Sequence, residues 1–199
     1  MGEHEPLLIR RVLTPRVLKP WRYRFEAGHY ARLPSEVTLL VGDVVSGSVV
    51  QITSVYAHVL GHTANSAIYL QMFPNNQVPE FRLATQDGYV GLWNDPDFSG
   101  YVGTEVRWIL TRSATGYQLE VVVNGIRKNL GTIASTSAFR FNTLGRGQFA
   151  GLLWDVSVND GSVWSFPLND GPANAQLNNR GSGGNADRVG FVDANWTRD

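Results

Sequence analysis

Hydrophobic and polar residues alternate along most of this chain in short runs separated by turn residues. The clearest stretch is FAGLLWDVSVNDGSVWSFPLND, residues 149–170. Leu153, Asp155 and Ser157 alternate with Trp154, Val156 and Val158, a period of two that puts each set on one face of a strand. Asn159-Asp160-Gly161 supplies residues that tolerate positive φ, and Val163, Trp164 and Phe166 continue beyond it. The stretch therefore predicts a hairpin. Pro167 cannot donate to a further ladder and ends the return strand.

The same pattern repeats upstream. Runs at 22–26 and 30–33 flank Ala27-Gly28, and runs at 48–55, 57–60 and 67–73 are β-branched and aromatic. Runs at 81–85 and 89–93 flank Asp87-Gly88, and those at 106–112 and 117–123 flank Ala114-Thr115-Gly116. Asn124-Gly125 closes a hairpin onto 126–130, and a further strand is expected at 139–144. Only 36–45 would tolerate a short helical turn. Residues 169–199 are rich in Gly and Asn and read as a closing loop, with one short strand at 188–192 and Trp196 anchoring the end. Strands spaced by about 8 to 12 residues with turn signals between them predict an all-β, two-sheet antiparallel sandwich over 21–199.

Residues 1–20 differ. Pro6, Pro15 and Pro20 prevent one long helix, and aliphatic residues alternate with basic ones. We read an extended N-terminal arm. Its candidate assembly residues are Leu7, Leu8, Ile9, Arg10, Arg11, Leu13, Arg16 and Leu18, and its apolar side chains need a partner surface on this domain or on a neighbouring chain. Burying them would contribute on the order of ten kcal/mol before ordering costs.

Composition narrows the function classes. The 199 residues are 43% hydrophobic, with 6 Trp, 7 Tyr and 9 Phe to fill the space between two sheets. Net charge is zero, so no general attraction to nucleic acid or to an anionic membrane is expected. The local basic run from Arg10 to Arg24 suits an acidic protein neighbour better than a phosphate backbone. With no cysteine, disulfides, thiolate metal sites and cysteine nucleophiles are excluded. The start of the chain lacks the pattern of a secretory leader, and no apolar run is long enough for a spanning helix. Synthesis in a cytoplasm is expected.

Several segments in order carry a family resemblance: YRFEAGHYARLP, then VRWILTRSATGYQLEVVVNGI, then FRFNTLGRGQFAGLLWDVSV, and last SFPLNDG with a Gly/Asn-rich loop ending in GFVDANW. Together, residues 23–196 resemble the concanavalin A-like, or laminin-G-like, jelly rolls of bacteriophage virion proteins. That resemblance implies a jelly-roll sandwich and a non-enzymatic structural protein of a capsid decoration, tail or fibre. It also implies virion proteins as partners, a homo-oligomer such as a trimer, and location in the virion. The fold also hosts lectins and glycanases, so it does not name a function. The alternative is a carbohydrate-binding module that recognises host-surface glycan.

Catalytic signatures are weak. Jelly-roll glucanases place acids in a Glu-x-Asp-x-x-Glu alternation on one strand, and this chain has none; Glu105 and Glu120 stand alone. There is no Gly-x-Ser-x-Gly elbow. His58 and His62 read as a pair of sheet-surface histidines rather than metal ligands. We therefore expect no enzyme, no catalytic residues and no cofactor. Asn94, Asp95 and Asp97 offer oxygen ligands of the kind Ca²⁺ takes, but Asn, Asp and Pro also favour plain turns, and the turn is the preferred reading. The loop LWNDPDFSGY is the expected glycan site, through Trp93, Asn94, Asp95, Asp97, Phe98 and Tyr101 with Asn75 and Asn76 beside it. Aromatic rings there would stack on sugar faces while Asn and Asp bond sugar hydroxyls. The other reading of Trp93 is core.

Overall fold

The computed structural model describes residues 20–51, 57–74, 79–95, 102–147 and 149–198. The first eight strands are β1 (Trp21–Phe25), β2 (Tyr30–Leu39), β3 (Val44–Gln51), β4 (Ala57–Gly61), β5 (Tyr69–Pro74), β6 (Pro79–Thr85), β7 (Gly88–Asn94) and β8 (Glu105–Arg112). The rest are β9 (Gly116–Val123), β10 (Ile126–Ala134), β11 (Phe139–Gly147), β12 (Gly151–Val158), β13 (Ser165–Phe166), β14 (Gln176–Leu177), β15 (Ala186–Val189) and β16 (Trp196–Arg198). One 3₁₀ turn, Asp193–Asn195, is the sole helical element among the described residues.

The strands form two antiparallel sheets of eight. The first runs β10-β9-β8-β3-β12-β1-β16, with β13 also on β12; the second runs β14-β15-β2-β11-β4-β5-β6-β7. Inward-facing residues of both sheets make one apolar core. Trp108 fills its centre with no exposed surface. Gly47, opposite it across the ladder, is required there, since a Cβ would come within 2.8 Å of the Trp108 ring. This is the two-sheet antiparallel sandwich that the alternation predicts.

The turn chemistry acts where the sequence places it. Asn124 and Gly125 take positive φ between β9 and β10, as do Gly88 before β7 and Asn159 and Gly161 after β12. Two details differ from expectation. The stretch 36–45 forms no helical turn: β2 continues to Leu39, because Val37 and Leu39 pair with Phe141 and Phe139 and point into the core. The return strand starts at Ser165; the Trp164 carbonyl still accepts from Val158 N–H of β12 at 3.0 Å, but Val163 does not join. The Val163 carbonyl accepts instead from Gly183 N–H at 2.9 Å and Asn179 Nδ2 at 2.7 Å in the closing segment.

The closing segment returns the chain to its beginning. β16 pairs with β1, the short strand expected at 188–192 lies at Ala186–Val189 and pairs with β2, and Trp196 is buried. Phe191 stacks on Tyr23 at 3.8 Å, and the Arg188 guanidinium lies 4.7 Å above the Trp196 ring.

Arg112, buried at the end of β8, ties the first sheet to the connection that leaves it. Its guanidinium donates to the carbonyls of Gly116, Ser135 and Thr136 at 3.2, 2.6 and 2.9 Å and lies 4.5 Å from the Tyr117 ring centre. It thus holds the β8–β9 turn against the crossover from β10 to β11. Arg112→Ala removes the guanidinium donors from the Ser135 and Thr136 carbonyls, while Gly116 keeps Ser113 as a donor, and should cost about 3 kcal/mol. Arg112→Lys, a point charge without the planar fork, should recover less than half of this. Urea midpoints of the two variants test this.

Candidate functional site

The expected glycan loop is only partly described: Asn75, Asn76, Asp97, Phe98 and Tyr101 lie outside the described residues, as do all the arm residues from Leu7 to Leu18. The residues that are described there serve the sandwich. Trp93 is 3% exposed, and its indole N–H donates to the Gly131 carbonyl at 3.0 Å. It therefore presents no ring face to a sugar, and its place is the core. Asp95 is 2% exposed, and its Oδ1 accepts from Lys128 Nζ at 2.9 Å. A cation at Asp95 would have to share that carboxylate with an ammonium. Asn94 is exposed. Trp93 and Asp95 instead bind β7, the edge of the second sheet, to β10, the edge of the first.

The histidines take separate partners. His62 Nε2 lies 2.7 Å from Glu36 Oε2. His58 stacks on Tyr69 at 4.7 Å. Burial, and then the nearby Arg146 charge, lowers its pKa from 6.5 to about 4. Among the described residues, no three His, Asp or Glu side chains gather as a metal site would need.

A groove lies elsewhere, across the outer face of the first sheet. It encloses about 460 Å³. Its floor is one ladder row, set by backbone register: Trp154 pairs with Ser48, Ser48 with Arg107, and Arg107 with Val122. A second row runs Ser165, Ser157, Ser46, and the Ser46 and Ser157 hydroxyls lie 3.3 Å apart. Glu105 and Asp155 add carboxylates, and Arg180 of the closing segment lines one end. Arg180 is positioned by its own N–H, which donates to the Ser165 carbonyl at 2.8 Å.

One backbone feature builds this face. Strict alternation puts Trp154 with Val156 and Val158. The structure interrupts it with a bulge at Asp155, whose φ is +51°. Leu153 and Val156 then both point into the core, while Trp154 and Ser157 both point outward. Trp154 stays 7% exposed, because the Arg22 guanidinium lies 4.8 Å above its ring. It is a floor rather than an open platform. Arg107, Arg180, Glu105 and Asp155 form no ion pair among the described residues, so their charges face the groove uncommitted. Sequence reasoning missed this site because its parts lie more than a hundred residues apart. The available signals were the outward polar pairs Ser46-x-Ser48 and Glu105-x-Arg107 on otherwise apolar strands.

No family model matches the chain, and no curated protein matches it. Solved structures do resemble it. A heptameric SAP-like pentraxin from Limulus polyphemus is 11% identical over 70% of this chain and 76% of that one, with a TM-score of 0.54. Domains LG4-5 of the mouse laminin α1 chain are 11% identical over 71% of this chain and 41% of that one, at a TM-score of 0.49. Chicken galectin 2 is 14% identical over 71% and 99%, at a TM-score of 0.39. The pentraxin likeness shows the fold alone, a concanavalin A-like jelly roll. Nothing in these likenesses points to a bacteriophage.

Two outcomes follow. Trp93→Ala should destabilise the domain by about 3 to 5 kcal/mol, as loss of a large core side chain does, and a denaturant titration reads this directly. The depressed pKa of His58 makes stability depend on pH. An unfolded His58 protonates near 6.5 and the folded one near 4. Between those values the unfolded chain binds the extra proton, so stability falls as pH drops through that window, by at most about 3 kcal/mol. His58→Phe keeps a ring against Tyr69 and should flatten this part of the pH profile.

Proposed function

We propose that this domain binds carbohydrate in the groove across the first sheet. The observation that carries the reading is the groove's chemistry. Serine hydroxyls, two uncommitted guanidiniums and two uncommitted carboxylates line one concave surface. Sugars present dense arrays of hydroxyls that both donate and accept. A guanidinium donates to them in a planar fork and a carboxylate accepts from them, each in a stronger, charge-assisted bond. The groove also has the size range of small-molecule sites. The jelly-roll likeness is compatible with this role but shows only the fold. The particle-docking role expected of residues 1–20 is carried by their sequence alone.

Arg107→Ala and Arg180→Ala remove exposed side chains that have no ion-pair or hydrogen-bond partner among the described residues. Each should leave the melting temperature unchanged and weaken glycan binding by about tenfold or more. A glycan array with the full chain, followed by calorimetry on the bound glycans, reads this. Unchanged binding in both variants would move the site off the groove. Turnover of a bound oligosaccharide, lost in Glu105→Gln, would replace the binding reading with a glycanase one.

A further inference from the structure

The carbohydrate reading above leaves open what kind of glycan the groove takes, and the floor's continuity addresses this. A second hollow of about 330 Å³, lined by Val122, Asn124 and Gly125, shares Glu105 and Arg107 with the first. The two therefore form one trough with Glu105 and Arg107 at its middle. The trough runs across the strands: Trp154, Ser48, Arg107 and Val122 stand on β12, β3, β8 and β9 in one ladder row. Adjacent strands are about 4.8 Å apart, so three gaps give a floor about 14 Å long before Arg180 extends it. That length exceeds one sugar ring and suits several joined in a line.

Charge along the trough changes sign. Arg180 stands at one end and Asp155 follows it. The serine rows come next, then Glu105 beside Arg107, and Asn124 closes the far end. A polyanionic chain, sulfated or rich in uronic acids, would meet Arg180 and Arg107 favourably but would place charge against Asp155 and Glu105. Like charges in a partly desolvated groove are unfavourable. A neutral chain meets no such conflict, because its hydroxyls satisfy donors and acceptors alike.

We infer that the groove binds a linear, neutral oligosaccharide laid across the strands, with its affinity built up over successive sugar units. The inference rests on the carbohydrate reading of the same groove. The probe is an array of neutral and acidic oligosaccharides in graded lengths, from monosaccharides upward, followed by calorimetry with each bound chain and its own disaccharide. The expected result is binding of neutral trisaccharides and longer chains, about tenfold or more tighter than their disaccharides. Asn124→Ala, on the exposed hairpin tip, should weaken the long chains and leave the disaccharide unchanged. Equal affinity for disaccharide and long chain, or preference for sulfated or uronic chains, overturns this inference while keeping the carbohydrate reading. Silence across the whole array removes both.

Discussion

A single left-handed residue, Asp155, decides how β12 serves two neighbours at once. Before it, β12 pairs with β1 along one edge; after it, the same edge pairs with β13. The other edge stays on β3 throughout, with one extra residue taken up at the bulge. Bulges of this kind bend a strand and re-aim its side chains. Here the bend lets Leu153 and Val156 both enter the core while Trp154 and Ser157 both face outward. An unbulged β12 would bury one of the polar residues or expose one of the aliphatic ones. The groove, its serine row and the approach of the closing segment all depend on that one φ of +51°.

The second constraint is closure. Two eight-stranded sheets have open edges, and unpaired edges invite association with other chains. This domain clamps one pair of edges, β7 and β10, to each other, and packs aromatic rings beside the first sheet's other edge strand, β16. At one side β7 meets β10 through Trp93 on Gly131 and Lys128 on Asp95. The Ile133 side chain of β10 lies so close to the Gly91 backbone of β7 that a Cβ on Gly91 would strike it. At the other side the chain's last strand pairs with its first, and the Tyr23, Phe191 and Trp196 rings pack together under Arg188. In both places an aromatic side chain with a polar partner does the joining. That is why Trp93, followed in sequence by Asn-Asp-Pro-Asp, carries two readings in the sequence, a sugar platform and a core residue.

What the sequence shows clearly is local. Asp87-Gly88, Asn124-Gly125 and Asn159-Asp160-Gly161 mark turns because only a few residues accept positive φ cheaply, and each lies where the chain reverses. The alternation gives the strands for the same local reason. The misreadings all involve distant partners. The stretch 36–39 is strand because β11 lies beside it. Val163 leaves the ladder because Gly183 and Asn179 take its carbonyl. The bulge at Asp155 breaks an alternation that looks regular in isolation, and Asp is a residue that tolerates this conformation without advertising it. The groove is the extreme case: its rows join residues near 48, 107, 122 and 154, which no local window connects.

A site made of ladder rows differs physically from one made of loops. Ser46, Ser48 and Arg107 are fixed at their Cα positions by ladder partners on both sides of their strands, and Glu105 by its partner on β3. Little backbone order remains to be imposed when a ligand arrives, and the entropic cost of binding falls mainly on the Arg and Glu side chains. Rigid rows at a fixed strand spacing also impose a repeat on whatever lies across them. A polymer with a regular repeat can present equivalent groups to successive strands, whereas a compact ligand meets only one or two. The loop carrying Arg180, which is not ladder, is itself tied to Ser165 through its backbone. Its guanidinium is thus the adjustable contact at the end of an otherwise fixed surface, the place where a chain of variable length would be accommodated.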